Sequence, residues 1–123
     1  MTALFAICRA DELANGGLGI RFEVQWRGQR LSAFIVRHQG EARAYLNRCA
    51  HRGVELDWEP GMFFDNDRQL LVCSTHGALY DPLTGVCVSG PCRGARLESL
   101  PITESDEQIG LLTNDELHFC QPT

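Results

Sequence analysis

The stretch CAHRG, residues 49–53, and its counterpart CSTHG, residues 73–77, share one design: a cysteine, a histidine within three positions, and a glycine at the end. Thiolate sulfur and imidazole nitrogen are the side-chain donors suited to borderline and soft metals. Cys49, His51, Cys73 and His76 therefore offer two sulfurs and two nitrogens from two separate segments. Three readings compete. In the first, these are unrelated core cysteines and surface histidines, although chance rarely repeats a Cys/His pair followed by glycine. The second is a structural zinc site, but zinc usually takes C-x2-C followed by H-x3-H, like paired with like. The single residue between Cys49 and His51 makes it awkward for both to reach one tetrahedral ion, and easier for them to serve two adjacent metals. The third is a two-iron cluster in which two histidines replace two cysteines on one iron.

Outward from these strings the chain reads as strands. Ile20, Phe22, Val24 and Trp26 alternate with Arg21, Glu23 and Gln25, the period of two that gives a strand one buried and one wet face. Arg27-Gly28 turns the chain into Leu31 to Arg37, whose denser apolar content predicts burial on both faces. His38-Gln39-Gly40-Glu41 makes the next turn and Ala42 to Leu46 the next strand. Turn signals recur at Asn15-Gly16-Gly17, Asp65-Asn66-Asp67, Asp81-Pro82-Leu83-Thr84-Gly85 and Ser89-Gly90-Pro91. A short apolar run, Val86 to Val88, lies between the last two. Ile109 to Leu112 and Leu117 to Cys120 flank Thr113-Asn114-Asp115-Glu116, which predicts a closing hairpin. No segment holds a helical period for three turns, and the stretch between the two Cys/His strings leaves room for short helical pieces. The expected fold is small, all-β and rich in loops.

The 123 residues suit one domain with a core of its own. A formal charge of −5 disfavours a general nucleic-acid binder, which needs a basic face. The N-terminal MTALFAICRADEL lacks a basic leader, and no apolar stretch is long enough to span a bilayer, so no membrane role and a cytoplasmic location are expected. In that compartment thiols stay reduced, so six cysteines suggest metal or redox chemistry before a disulfide framework.

At C-x-H, a spacer of 21 residues, then C-x2-H, the sequence resembles the Rieske family. The resemblance runs from about residue 42 to 101 and includes Asp81 to Gly85 and Ser89-Gly90-Pro91, where the family carries a proline loop covering its cluster. It implies a Rieske fold of stacked antiparallel sheets: a single domain over 1–123, with a cluster-binding subdomain of about 47–93 inserted in a β base. It implies one [2Fe-2S] cluster per chain, held by Cys49, His51, Cys73 and His76. Gly53 and Gly77 would let backbone amides approach the sulfurs, although both are also ordinary turn residues. Gly90 and Pro91 would belong to the covering loop, and Tyr80 would reach a ligand sulfur or simply pack in the core.

High-potential members carry a second cysteine pair where this chain has Val54 and Thr75, and a serine where it has Ala78. Both differences point to the low end of the family's range of about −150 to +300 mV. Tyr80 matches the high-potential group, so a low to low-intermediate potential is expected. In the family the histidine-bound iron takes the electron near the surface, and reduction would raise the histidine pKa values in alkaline solution.

Ring-hydroxylating oxygenases of the family add a mononuclear iron held by two His and a carboxylate, whereas only His38 and His118 remain here. No flavin or nicotinamide fingerprint is present. The resemblance thus implies no catalytic residues and a soluble monomeric ferredoxin, passing single electrons from a reductase to an oxygenase or other terminal enzyme. The alternative is a non-catalytic subunit, similar to the small Rieske-fold subunit of nitrite reductase. Cys87 and Cys92 flank the proline loop at disulfide-compatible spacing but are expected reduced. Cys8 and Cys120 read as small core residues, and Trp58 as a packed aromatic. Arg52 and Arg93 either face solvent or offer charge to a partner.

Overall fold

The structure, a computed structural model, describes residues 3–50, 54–57, 59–73, 77–90, 93–105 and 107–120. Eleven strands occur among them: β1 Ala3–Arg9, β2 Ile20–Trp26, β3 Gln29–His38, β4 Glu41–Leu46, β5 Leu71–Val72, β6 Leu79–Tyr80, β7 Cys87–Ser89, β8 Ser99–Leu100, β9 Ile102–Glu104, β10 Gln108–Thr113 and β11 Leu117–Cys120. They form three antiparallel sheets with strand orders β1-β10-β9, β11-β2-β3-β4-β8 and β5-β6-β7.

Local chemistry builds the five-stranded sheet. β2 and β3 pair from Trp26↔Gln29 to Ile20↔Ile35. Their two-residue turn has positive φ at Arg27 (50°) and Gly28 (79°), and β3 and β4 are joined the same way at Gln39 (52°) and Gly40 (82°). Such turns match the right-handed strand twist.

The dense apolar run in β3 is explained by layering. Ala33 and Ile35 face one core, together with Phe22, Val24, Ala44, Leu46, Ile109 and Leu111. Phe34 and Val36 face the other, with Tyr45, Leu56, Phe63, Leu71, Cys73, Ala78 and Tyr80. The five-stranded sheet is thus the middle layer, with the β1-β10-β9 sheet on one face and the β5-β6-β7 sheet with its loops on the other. Residues 33–36 are all buried, in keeping with burial on both faces. Arg37 fastens the layers at one side. Its guanidinium donates to Leu13 O at 2.7 Å and Ala10 O at 3.2 Å, and pairs with Glu104 at 2.6 Å.

One sequence expectation is corrected. β10 and β11 do not close as a hairpin. β10 pairs with β1 and β9, whereas β11 crosses to β2 in the other sheet. Ile109, Leu111 and Leu117 all enter the same core, so a corner between sheets buries them as well as a hairpin would. The Thr113 hydroxyl donates to Ala3 O at 3.1 Å, holding the end of β10 to β1 before the chain leaves. Between the Cys/His strings, the described residues form turns, a Phe64↔Leu71 bridge and β5 rather than helix. The one helical turn described is a 3-10 turn at Ala10–Glu12. Among the described residues no helix is long and apolar enough to cross a membrane.

Candidate metal centre

The two Cys/His strings become two loops of matched span. β4 ends at Leu46, and the Cys49 N–H donates to Val54 O at 2.6 Å. In the second loop, which follows β5, the Cys73 N–H donates to Ala78 O at 2.9 Å, and the Gly77 N–H to Cys73 O at 2.7 Å. In both loops the cysteine amide bonds the carbonyl five residues ahead. The difference between C-x-H and C-x2-H spacing thus hides a common closure. Gly77 takes φ +71°, and a Cβ there would meet nothing within 4 Å. Conformation, rather than crowding, calls for glycine at that position.

Both cysteines are buried, Cys49 at 2% and Cys73 at 0% exposure, and both belong to the same core cluster. Tyr80, fully buried on β6, reaches across from the second loop to the first. Its hydroxyl lies 3.2 Å from Cys49 Sγ and accepts the Ala50 N–H at 3.0 Å. A phenol has a single proton to give. With Cys49 as thiolate, that proton is directed at the sulfur. Tyr80 therefore does more than fill the core.

The proline loop packs directly on the second Cys loop. Gly90 has φ +106°, and a Cβ there would come within 2.9 Å of Ala78 Cα. Ala78 is itself fully buried. A glycine facing an alanine sets the close approach of the two loops. Cys87, paired opposite Tyr80, donates from Sγ to Ser89 O at 3.3 Å.

A buried polar hub, which sequence reading did not find, holds the segment after the first loop. Asn47 Nδ2 donates to Asp57 Oδ1 at 2.8 Å, and the Leu56 N–H donates to Asn47 Oδ1 at 2.8 Å. The Gly61 N–H donates to Asp57 Oδ2 at 3.0 Å, and Arg21 of β2 approaches the same oxygen at 3.7 Å. Arg21 also pairs with Glu55 at 2.8 Å. An Asn two residues before a cysteine carries no distinctive pattern, so only the contacts show this role. On the other side of the loops, Tyr45 donates to Pro82 O at 2.7 Å and packs where a Cβ on Gly85 would come within 2.8 Å of its ring.

Of the residues singled out in the sequence, Cys49, Cys73, Gly77, Tyr80 and Gly90 fall in or beside these loops. His51, Arg52, Gly53, Trp58, Thr75, His76, Pro91 and Cys92 lie outside the described residues. Among the described residues no three His, Cys, Asp or Glu side chains converge on one point. Cys8 is a half-buried β1 residue, and Cys120 ends β11. His38 is buried beside Phe64, and His118 is exposed on β11.

The donor set fits an iron–sulfur group. Burial in an apolar core disfavours a bare thiolate, and bonding to metal removes that penalty. A phenol aimed at one sulfur suits an acceptor that carries charge.

A pair of matched cysteine loops on a β scaffold, capped by a glycine-bearing third loop, is an arrangement that would seat an iron–sulfur group between the loops. The model of the Rieske [2Fe-2S] domain matches residues 3–104, and the chain belongs to this family, whose domain binds a Rieske-type [2Fe-2S] cluster. No match was found among curated proteins. Among solved structures, the ferredoxin of carbazole 1,9a-dioxygenase from Nocardioides aromaticivorans IC177 is similar with TM-score 0.69 and 21% identity, over 89% of this chain and 96% of that one. A complex of reduced oxygenase and oxidized ferredoxin in carbazole 1,9a-dioxygenase contains a chain matching with TM-score 0.66 and 18% identity, over 88% of this chain and 91% of that one. The terminal oxygenase of carbazole 1,9a-dioxygenase from Nocardioides aromaticivorans IC177 matches with TM-score 0.68 and 26% identity, over 92% of this chain but 30% of that one.

Proposed function

We propose that this chain is a Rieske-type ferredoxin, a non-enzymatic carrier of single electrons from a reductase to an oxygenase or other terminal enzyme. Its [2Fe-2S] group would be held by Cys49 and Cys73 on one iron and by His51 and His76 on the other. The observation that carries this reading is the pair of identically closed loops presenting buried Cys49 and Cys73, joined through the Tyr80 hydroxyl. The bound group supplies a one-electron couple. Asn47, Asp57 and Gly90 hold the loops in place, the buried core keeps water from the sulfurs, and Tyr80 donates a hydrogen bond to Cys49. The likeness to ferredoxins along nearly their whole length supports a carrier acting as a single domain over 1–123, with 47–93 as the cluster-binding part. The setting that follows is a cytoplasmic monomer that docks with redox proteins.

Low-temperature EPR before and after dithionite tests this reading. A rhombic signal that appears only on reduction, with average g below the free-electron value, is expected. A protein silent in both states, and still silent after reconstitution with iron and sulfide, would remove the reading. Stable co-purification with a large enzyme, with a cluster that does not cycle, would favour a non-catalytic subunit instead.

A further inference from the structure

The chain contains no lysine, so all eleven of its basic side chains are arginines. Arg52 lies outside the described residues, and Arg68, exposed on the turn after Asp65 and packed against Gly16, has no ion-pair partner among the described residues; the other nine fall into two groups. Around the β base, Arg9, Arg21, Arg27, Arg30, Arg37 and Arg43 each pair with a carboxylate: Asp11, Glu55, Glu116, Glu23, Glu104 and Glu41 respectively. Arg48, Arg93 and Arg96 are exposed and have no ion-pair partner among the described residues. Scarcity of acid does not explain this, because the chain has 16 carboxylates for its 11 arginines.

The three arginines sit at the Cys loops. Arg48 immediately precedes Cys49. Arg93 follows the proline loop, its N–H donating to Gly90 O at 3.3 Å. Arg96 is bridged to Val86. Arg48 and Arg96 line one cavity of about 290 Å³ with Cys49, Ala50 and Trp26, and Glu98 is its single carboxylate. In sequence, the loop stretches 48–54, 73–80 and 86–97 carry four arginines, Arg52 included, and no aspartate or glutamate. In a chain of net charge −5, these stretches beside Cys49 and Cys73 are thus locally basic.

We propose that Arg48, Arg93 and Arg96 form a docking face for an acidic protein surface, one whose carboxylates surround its own redox centre. Arginine suits the task, because its planar guanidinium binds carboxylates bidentately and is weakly hydrated. The opposite sign of the face and of the whole molecule also orients the encounter: an acidic partner is repelled by the base and admitted at the loops. This inference rests on the electron-carrier reading above and names the partner chemistry for it.

The test is stopped-flow electron transfer from the dithionite-reduced holoprotein to two acceptors, plastocyanin as an acidic protein and cytochrome c as a basic one. Raising ionic strength from about 0.01 M to about 0.1 M shortens the screening length from about 30 Å to about 10 Å. The rate to plastocyanin is expected to fall about tenfold or more over that range, within the span of steering effects. The combined variant Arg48→Gln, Arg93→Gln, Arg96→Gln should abolish this salt dependence. Its lysine counterpart should retain much of it, and Arg9→Gln, at the end of β1, should leave it unchanged. EPR of each variant verifies that the cluster is intact.

A rate to plastocyanin that rises with salt would show that net charge governs the encounter and would overturn the proposal. A faster, salt-sensitive reaction with cytochrome c would do the same. So would variants that shift the midpoint potential while leaving the salt slope unchanged, because the arginines would then tune the cluster rather than dock a partner. If no reducible cluster forms even in the unsubstituted protein, the carrier reading itself falls, and the docking face with it.

Discussion

Tyr80 shows how much one hydroxyl can decide. It accepts the Ala50 N–H and faces Cys49 Sγ at 3.2 Å, so with Cys49 as a metal-bound thiolate its proton would serve the sulfur. A hydrogen bond to a ligand sulfur favours the more negative, reduced state. Tyr80→Phe should therefore lower the midpoint potential by about 60 mV, equivalent to a tenfold change for a one-electron couple. Protein-film voltammetry measures this directly, and an unchanged potential would show that the contact does not distinguish the two redox states. Two other residues set an alkaline limit. Burial pushes the Cys8 thiol from 9.0 up to about 11, with the nearby Glu12 adding to the effect, and burial pushes the Tyr45 phenol from 10.0 up to about 12. Both groups are neutral when protonated. Above about pH 9 the unfolded chain begins to release protons that the folded chain keeps, so stability falls as pH rises through about 9 to 12. Urea midpoints taken across that window should decline, and Tyr45→Phe should flatten the upper part of the slope. A stability that rises over the window would contradict these shifts.

At the scale of elements, the loops depend on one another and on a polar hub. Gly90 combines φ +106° with a Cβ position 2.9 Å from Ala78 Cα, so Gly90→Ala adds backbone strain to a clash with a neighbouring loop. The proline loop should lift from the second Cys loop, and the cluster should bleach faster in air, as followed by visible absorbance. Equal bleaching rates would show that the loops separate without consequence. The Asn47–Asp57 hub joins β4 to residues 54–61 through buried bonds. Asp57→Ala would leave the Asn47 amide only the Ser32 hydroxyl at 3.5 Å, the Gly61 N–H without its acceptor and Arg21 without this partner. The cost should be about 2–4 kcal/mol, read as a lowered midpoint in denaturant. Asp57→Asn, which keeps the shape, should cost less.

On the scale of the whole molecule, the middle sheet separates two cores. One lies against the β1-β10-β9 sheet and contains neither Cys49 nor Cys73; the other contains both. Removing iron should therefore act unevenly. Chelation is expected to leave the β far-UV signal largely in place while amide exchange accelerates through residues 54–90. β1, β9 and β10 should stay protected, because they lie on the far face of the middle sheet from both cysteines. Uniform loss of protection would mean that the metal supports the entire fold.

The sequence by itself determined the chemistry. A donor set is a matter of residue type and local spacing, and C-x-H with C-x2-H around a 21-residue spacer is local. Strand β2 was legible from strict alternation, and the two tight turns around β3 from Gly28 and Gly40, because period and turn residues act over a few positions. The doubly buried run of β3 was legible as dense apolar content, but not which layer covered each face. Tertiary structure alone decided what depends on distant pairing. β10 and β11 separate into different sheets because Ile109, Leu111 and Leu117 are satisfied by one shared core, a fact no short window contains. The Asn47–Asp57 hub, the direction of the Tyr80 hydroxyl and the choice of which arginines find carboxylates were likewise set in space. Each is a contact between segments, and its energy exists only once the layers have closed around it.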